Sequence, residues 1–211
     1  KLILIILIFI FASCGKGSSS AVIRSTASAS TATISYSSTF TSASMGLATS
    51  GTVSLPSVTQ FTMSVWLKMN TVPVANESIF GVYDNTGGQT RYMRLYWSSP
   101  TTITGAINDG GTININSTAI ASPTTWNNYV YSWNSAGGAG SPYDLYVNGV
   151  NVATAAVGGS IDFDQGPAEH FQVGEYNSSN YLSGKIDNIA YWSTRLTATE
   201  VAAIYNAGVP K

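Results

Sequence analysis

Charge is scarce in this 211-residue chain. Only 9% of its residues are Asp, Glu, Lys or Arg, against about 25% in an average soluble protein. Nine basic and ten acidic side chains leave a formal net charge of -1. Such a surface lacks the basic patch that grips a phosphate backbone or an anionic bilayer, which argues against nucleic acid and against electrostatic membrane attachment. One cysteine excludes an internal disulfide. One histidine and one thiol cannot supply the ligand set of a zinc site. No G-x-S-x-G elbow is present, so His170 reads as a structural residue at a strand start, not a triad base.

What replaces charge is Ser, Thr, Asn and Gly, beside a hydrophobic fraction of 44%. That fraction is enough for a sizeable core in one all-β domain. The chain reads in three parts. Residues 1–13 are expected to be a signal peptide: Lys1 precedes an unbroken apolar run, Leu2 to Ala12, too short to span a bilayer. Phe11-Ala12-Ser13-Cys14 resembles a bacterial lipobox, which implies lipid on Cys14 and a surface-anchored protein. The other reading is plain secretion, with cleavage nearby and Cys14 incidental. Residues 14–33, rich in Ser, Thr and Ala, are expected to be a flexible tether. Residues 34–211 are the folded domain.

That domain is a series of short strands. Phe61, Met63, Val65 and Leu67 alternate with Thr62, Ser64 and Trp66, the pattern of a half-buried strand. Tyr92 to Trp97 and Trp126 to Trp133 are aromatic-rich strands. Turn clusters at Asp84 to Gly88 and Asn108 to Gly111 separate others. Asn148-Gly149, between Leu145-Tyr146-Val147 and Val150-Asn151-Val152, predicts a type I′ hairpin, since both residues tolerate positive φ. Near the end, Thr197-Ala198-Thr199-Glu200 fits a capping box. Val201, Ile204 and Tyr205 then give one apolar helical face, so a single helix is expected at about 198–207. Many strands punctuated by Gly, Asn and Asp predict an all-β, two-sheet antiparallel jelly-roll sandwich with one short C-terminal helix.

Three pieces carry a resemblance. They are Phe61 to Lys68, Tyr143 to Val150, and the closing stretch Gly184-Lys185-Ile186-Asp187-Asn188-Ile189-Ala190-Tyr191-Trp192 with Arg195-Leu196-Thr197. In that order, over about residues 36 to 208, they resemble laminin-G-like domains of the concanavalin-A-like lectin/glucanase superfamily. The resemblance implies a sandwich fold and one of several functions: lectin, adhesion module or glycosidase. Many such domains hold calcium, and Asp187 matches an acidic position of the closing motif, so calcium at Asp187 is an expectation of the resemblance.

Glycoside hydrolysis needs two carboxylates flanking the bond. Asp162-Phe163-Asp164 is the pair with alternate spacing, and its Gly-rich context reads as a solvated turn. Five Trp and twelve Tyr are the better signal, because aromatic faces stack on sugar C–H faces and their polar tips add hydrogen bonds. Trp97, Tyr131, Trp133 and Tyr176 are the candidates for ligand contact; the alternative is that they fill the core. The function expected is a non-catalytic, secreted or surface-anchored module that binds glycan or an extracellular protein. A self-assembling structural protein is the second reading and a carbohydrate-active hydrolase the third. Membrane contact is expected only through lipid on Cys14.

Overall fold

The computed structural model describes residues 22–24, 32–35, 38–39, 47–48, 60–84, 91–108, 112–117, 119–134, 141–157, 170–176, 180–192 and 194–205. Cys14, Asp162 and Asp164 lie outside the described residues. The chain opens with short strands β1 (Val22–Arg24), β2 (Ala32–Ser35), β3 (Ser38–Thr39) and β4 (Leu47–Ala48). Longer ones follow: β5 (Gln60–Met69), β6 (Ser78–Asp84), β7 (Arg91–Ser99), β8 (Thr102–Asn108) and β9 (Thr112–Asn116). Then come β10 (Asn127–Asn134), β11 (Ser141–Val147), β12 (Val150–Val157), β13 (His170–Val173) and β14 (Gly184–Trp192), and finally helix α1 (Ala198–Tyr205).

The strands form two sheets. An eight-stranded sheet runs β1-β2-β14-β5-β10-β11-β12, with β3 also on β14. A six-stranded sheet runs β4-β13-β6-β7-β8-β9. All recorded pairings are antiparallel. The sandwich and its one described helix agree with the sequence expectation. The domain start does not agree as neatly. β1 lies inside the stretch read as a tether and β2 begins there, with Thr33 paired to Ala190 and Ile34 to Ile189. The branched pairs Val22-Ile23 and Thr33-Ile34 supply the strand preference that the surrounding Ser and Ala mask.

The core sits between the sheets. Phe61, Met63, Val65 and Leu67 of β5 face Leu95, Trp97, Ile103 and Ile107 of the other sheet, all at most 1% exposed. Expected to be half-buried, β5 is buried on both sides. The reason is the C-terminus. Thr62 Oγ1 donates to Thr194 O and accepts from Leu196 N, each at 2.9 Å. Trp66 stacks on Tyr205 at 5.7 Å, and Val201 joins Val130 and Tyr146 in a second small cluster. Arg195 pairs with the buried Asp144, which also accepts from Thr154 and Asn151. So α1 and its approach roof the outer face of the larger sheet.

Local signals explain the joints. Thr197 N donates to Glu200 Oε2 at 2.7 Å and Glu200 N to Thr197 Oγ1 at 3.3 Å, the two halves of the capping box. These bonds hold the Glu200 carboxyl below its usual range. Asn148 and Gly149 take φ of 53° and 76°, as the I′ turn requires. In β14 the period breaks: a bulge between Asp187 and Ala190, with Asn188 at φ 48°, lets Ile186 and Ile189 both reach the core. Among the described residues no helix is long and apolar enough to cross a membrane.

Candidate functional site

The outer face of the six-stranded sheet has no helix packed on it among the described residues, and it gathers the unusual chemistry. In β7, Met93, Leu95 and Trp97 turn inward at 0% exposure. Tyr92, Arg94 and Tyr96 therefore turn outward, because successive strand side chains alternate. Across the sheet, Gln172, Gly81, Arg94 and Ala106 stand in one register row. Arg94 thus has small neighbours on both adjacent strands and a tyrosine on either side along its own.

The Arg94 guanidinium lies 4.2 Å from the Tyr96 ring centre and 4.4 Å from that of Tyr176. Tyr176 in turn meets Tyr92 edge-on at 5.7 Å. Contacts of this kind contribute about 0.5–2 kcal/mol each. Arg94 donates from Nη2 to Asn76 O at 2.7 Å and from Nε to Ser78 Oγ at 3.3 Å. It is 8% exposed. Burial lowers its pKa, while the neighbouring Tyr176, Tyr96 and Tyr92 raise it. Burial raises the Tyr96 phenol. Among the described residues no carboxylate pairs with Arg94, and the ion pair there is Arg195 with Asp144.

Polar groups frame the cluster. Thr104 Oγ1 donates to Asn116 Oδ1 and lies 2.7 Å from Ser98 Oγ. Beneath, Glu77 fills the turn into β6 between the two residues that hold Arg94. Burial pushes its carboxyl up to about 7, against donation from the backbone of Val74 and Ser183. Its Oε2 is buried without a protein partner. Glu175, next to Tyr176, is also pushed up by burial.

Of the residues expected from sequence to touch a ligand, three do not reach the surface. Trp97 is 0% exposed and packs edge-on against Tyr129. Tyr131 is 0% exposed, stacked on Tyr143 and pressed against Gly105. Trp133 is 0% exposed between Phe61 and Tyr143. Each sits on the inward phase of its strand, so the expectation is corrected: they are core. Tyr176 is half-buried and is the candidate that the fold brings to the Arg94 cluster.

Asp187 pairs across β14 and β5 with Trp66, on the face covered by α1 and away from Arg94. Burial raises its carboxyl, and the Asn188 backbone lowers it less. Calcium needs six to eight oxygen ligands. Among the described residues, no three His, Cys, Asp or Glu side chains gather where they could hold an ion. Among the described residues, the side chains about Asp187 do not make up the calcium site that the resemblance implied. The backbone of His170 pairs with Tyr83.

Sequence reasoning missed Tyr92, Arg94 and Tyr96. The signal was present. In Tyr92-Met93-Arg94-Leu95-Tyr96-Trp97, strict alternation sets Trp97 with Met93 and Leu95, and Arg94 with the two tyrosines.

A sequence profile described as Laminin_G_3, concanavalin A-like lectin/glucanases superfamily, matches residues 40–202. No curated protein matches the chain in sequence. Solved structures share the fold at low identity. A carbohydrate-binding module (CBM40) of the Ruminococcus gnavus IT-sialidase, bound to α2,3-sialyllactose, is 15% identical with a TM-score of 0.62, over 80% of this chain and 97% of its own. Domain 4 of AbnA, an extracellular arabinanase from Geobacillus stearothermophilus, in complex with arabinotriose, is 15% identical at 0.61, over 90% and 82%. The native heptameric SAP-like pentraxin of Limulus polyphemus is 17% identical at 0.58, over 79% and 78%.

Proposed function

We propose that this chain, which belongs to the concanavalin A-like lectin/glucanases superfamily, is a non-catalytic module that binds glycan on the outer face of its six-stranded sheet. The observation that carries this is the grouping of Tyr92, Tyr96 and Tyr176 about Arg94 on the face that α1 leaves open. Tyrosine rings offer flat apolar area to sugar C–H faces, and their hydroxyls and the guanidinium offer directed hydrogen bonds. Two of the similar structures are carbohydrate-binding parts of larger enzymes, which is in keeping with binding without turnover.

Export belongs to the same proposal. The apolar run Leu2 to Ala12 followed by Phe11-Ala12-Ser13-Cys14 supports an exported protein held at the cell surface by lipid on Cys14.

The test is a glycan array probed with the wild-type domain and with Tyr176→Ala. Binding is expected for the wild type, with no product released from the bound glycans. Tyr176→Ala should weaken it roughly 3–10-fold, measured well below the variant's melting temperature, which the loss of the Arg94 and Tyr92 contacts lowers. Product release would establish a hydrolase. Absence of binding together with ordered self-association would replace this reading with an assembly protein.

A further inference from the structure

Arg94 is a cation taken largely out of water, and among the described residues no anion pairs with it. Burying a charge is unfavourable unless it is paired and hydrogen-bonded. Here the pairing is partial. The two tyrosine rings give cation–π attraction, and two neutral oxygens accept its N–H groups. A guanidinium carries five N–H donors in a planar fork. The bonds from Nε and Nη2 to Ser78 Oγ and Asn76 O occupy one side of that fork. Among the described residues, the end-on edge, one N–H from each Nη, meets no protein acceptor, and neither does the last N–H of Nη1.

The surroundings hold this edge in place. Ser78 is 0% exposed, and Trp97 N binds Glu77 O beside it. The rings of Tyr96 and Tyr176 restrict the guanidinium from two directions. Little rotamer freedom remains to be lost on binding, which favours a directed contact over a diffuse one. The near-neutral chain suits one compact anion and not a polyanion.

We infer that the glycan bound on this face is acidic, with a sugar carboxylate seated end-on against Arg94 by two parallel N–H···O bonds. This rests on the glycan-binding reading above and adds its substrate class: uronic or sialic acid residues, recognised through a carboxylate. Carboxylate matches the planar fork two atoms to two. A neutral sugar hydroxyl would leave the buried charge uncompensated.

The experiment is calorimetry on the intact domain with three matched sets of probes. These are oligosaccharides ending in glucuronate or sialate, their methyl esters, and the neutral parent sugars. The free acids should bind at least about tenfold tighter than their esters, as a charge-assisted hydrogen-bonded pair implies. The preference should shrink in high salt and vanish in Arg94→Gln. Because Arg94 is buried, that variant could fail to fold; the acid-against-ester comparison on the wild type decides without it. Equal affinity for acid and ester, or a preference for sulfated over carboxylated sugars, would overturn the inference and leave glycan binding standing. No binding to any saccharide, acidic or neutral, would overturn the function itself and the inference with it.

Discussion

Replacing Glu77 with Gln should stabilise the domain at neutral and alkaline pH and leave it unchanged in acid. Glu77 is 8% exposed, and burial pushes its carboxyl from the 4.5 of a free glutamate up to about 7. The folded state therefore holds this proton more tightly than the unfolded chain. Below pH 4.5 both states are protonated and the group has no effect on stability. Between about 4.5 and 7 the unfolded chain ionises while the folded one does not. Stability then falls as pH rises, by about 1.4 kcal/mol per pH unit. Above about 7 both are ionised and the loss levels off near 3 kcal/mol. Glutamine carries no charge and keeps one oxygen to accept from the backbone of Val74 or Ser183. Urea unfolding followed by tryptophan fluorescence at pH 4, 6 and 8 measures the difference. The Glu77→Gln gain should be about 0 at pH 4 and about 2–3 kcal/mol at pH 8. A variant no more stable than the wild type at pH 8 would refute the argument, as would a gain independent of pH.

Two further outcomes follow from the packing and from the proposed lipidation of Cys14. Gly105→Ala should destabilise by about 1–3 kcal/mol, or roughly 2–12 °C in melting temperature. A Cβ there meets the Tyr131 ring at 2.5–2.9 Å, and that ring is pinned by Phe61 and Tyr143; unchanged melting would contradict the packing. Cys14→Ala should move the protein from the membrane fraction to the soluble or secreted one, or stall it as a precursor, with melting unaltered. An unmodified Cys14 in the mass spectrum of the native protein would leave plain secretion.

The legible parts of this fold are those written locally. Asn148-Gly149 needs only its own φ angles, and the Thr197–Glu200 box needs four residues. The phase of a strand is legible too, but which side it turns inward is settled by distant partners. Tyr131 and Trp133 could stack on a sugar or fill a core. Gly105, 26 residues earlier in the chain, leaves the space for Tyr131 that decides it. The double burial of β5 depends on Thr194 and Leu196, more than 130 positions away. Asp187 kept its place in the closing motif, yet among the described residues it joins no group of three side chains that could hold an ion. Arg94 was passed over because a lone basic residue carries no motif. Its meaning comes from Tyr176, 82 positions later, which the segment after β13 brings beside it.

The position of β14 bears on how this molecule tolerates damage. The strand nearest the C-terminus is an interior member of its sheet, set between β2 and β5. During synthesis the two sides it joins both exist before it does, and neither can pair with the other across the gap. Order of manufacture and order of closure therefore run differently, and the larger sheet closes only when residues 184–192 arrive. A premature stop or a protease cut shortly before them would remove the middle of the sheet and not its rim. It would leave both flanks with open edges of the kind that recruit other chains.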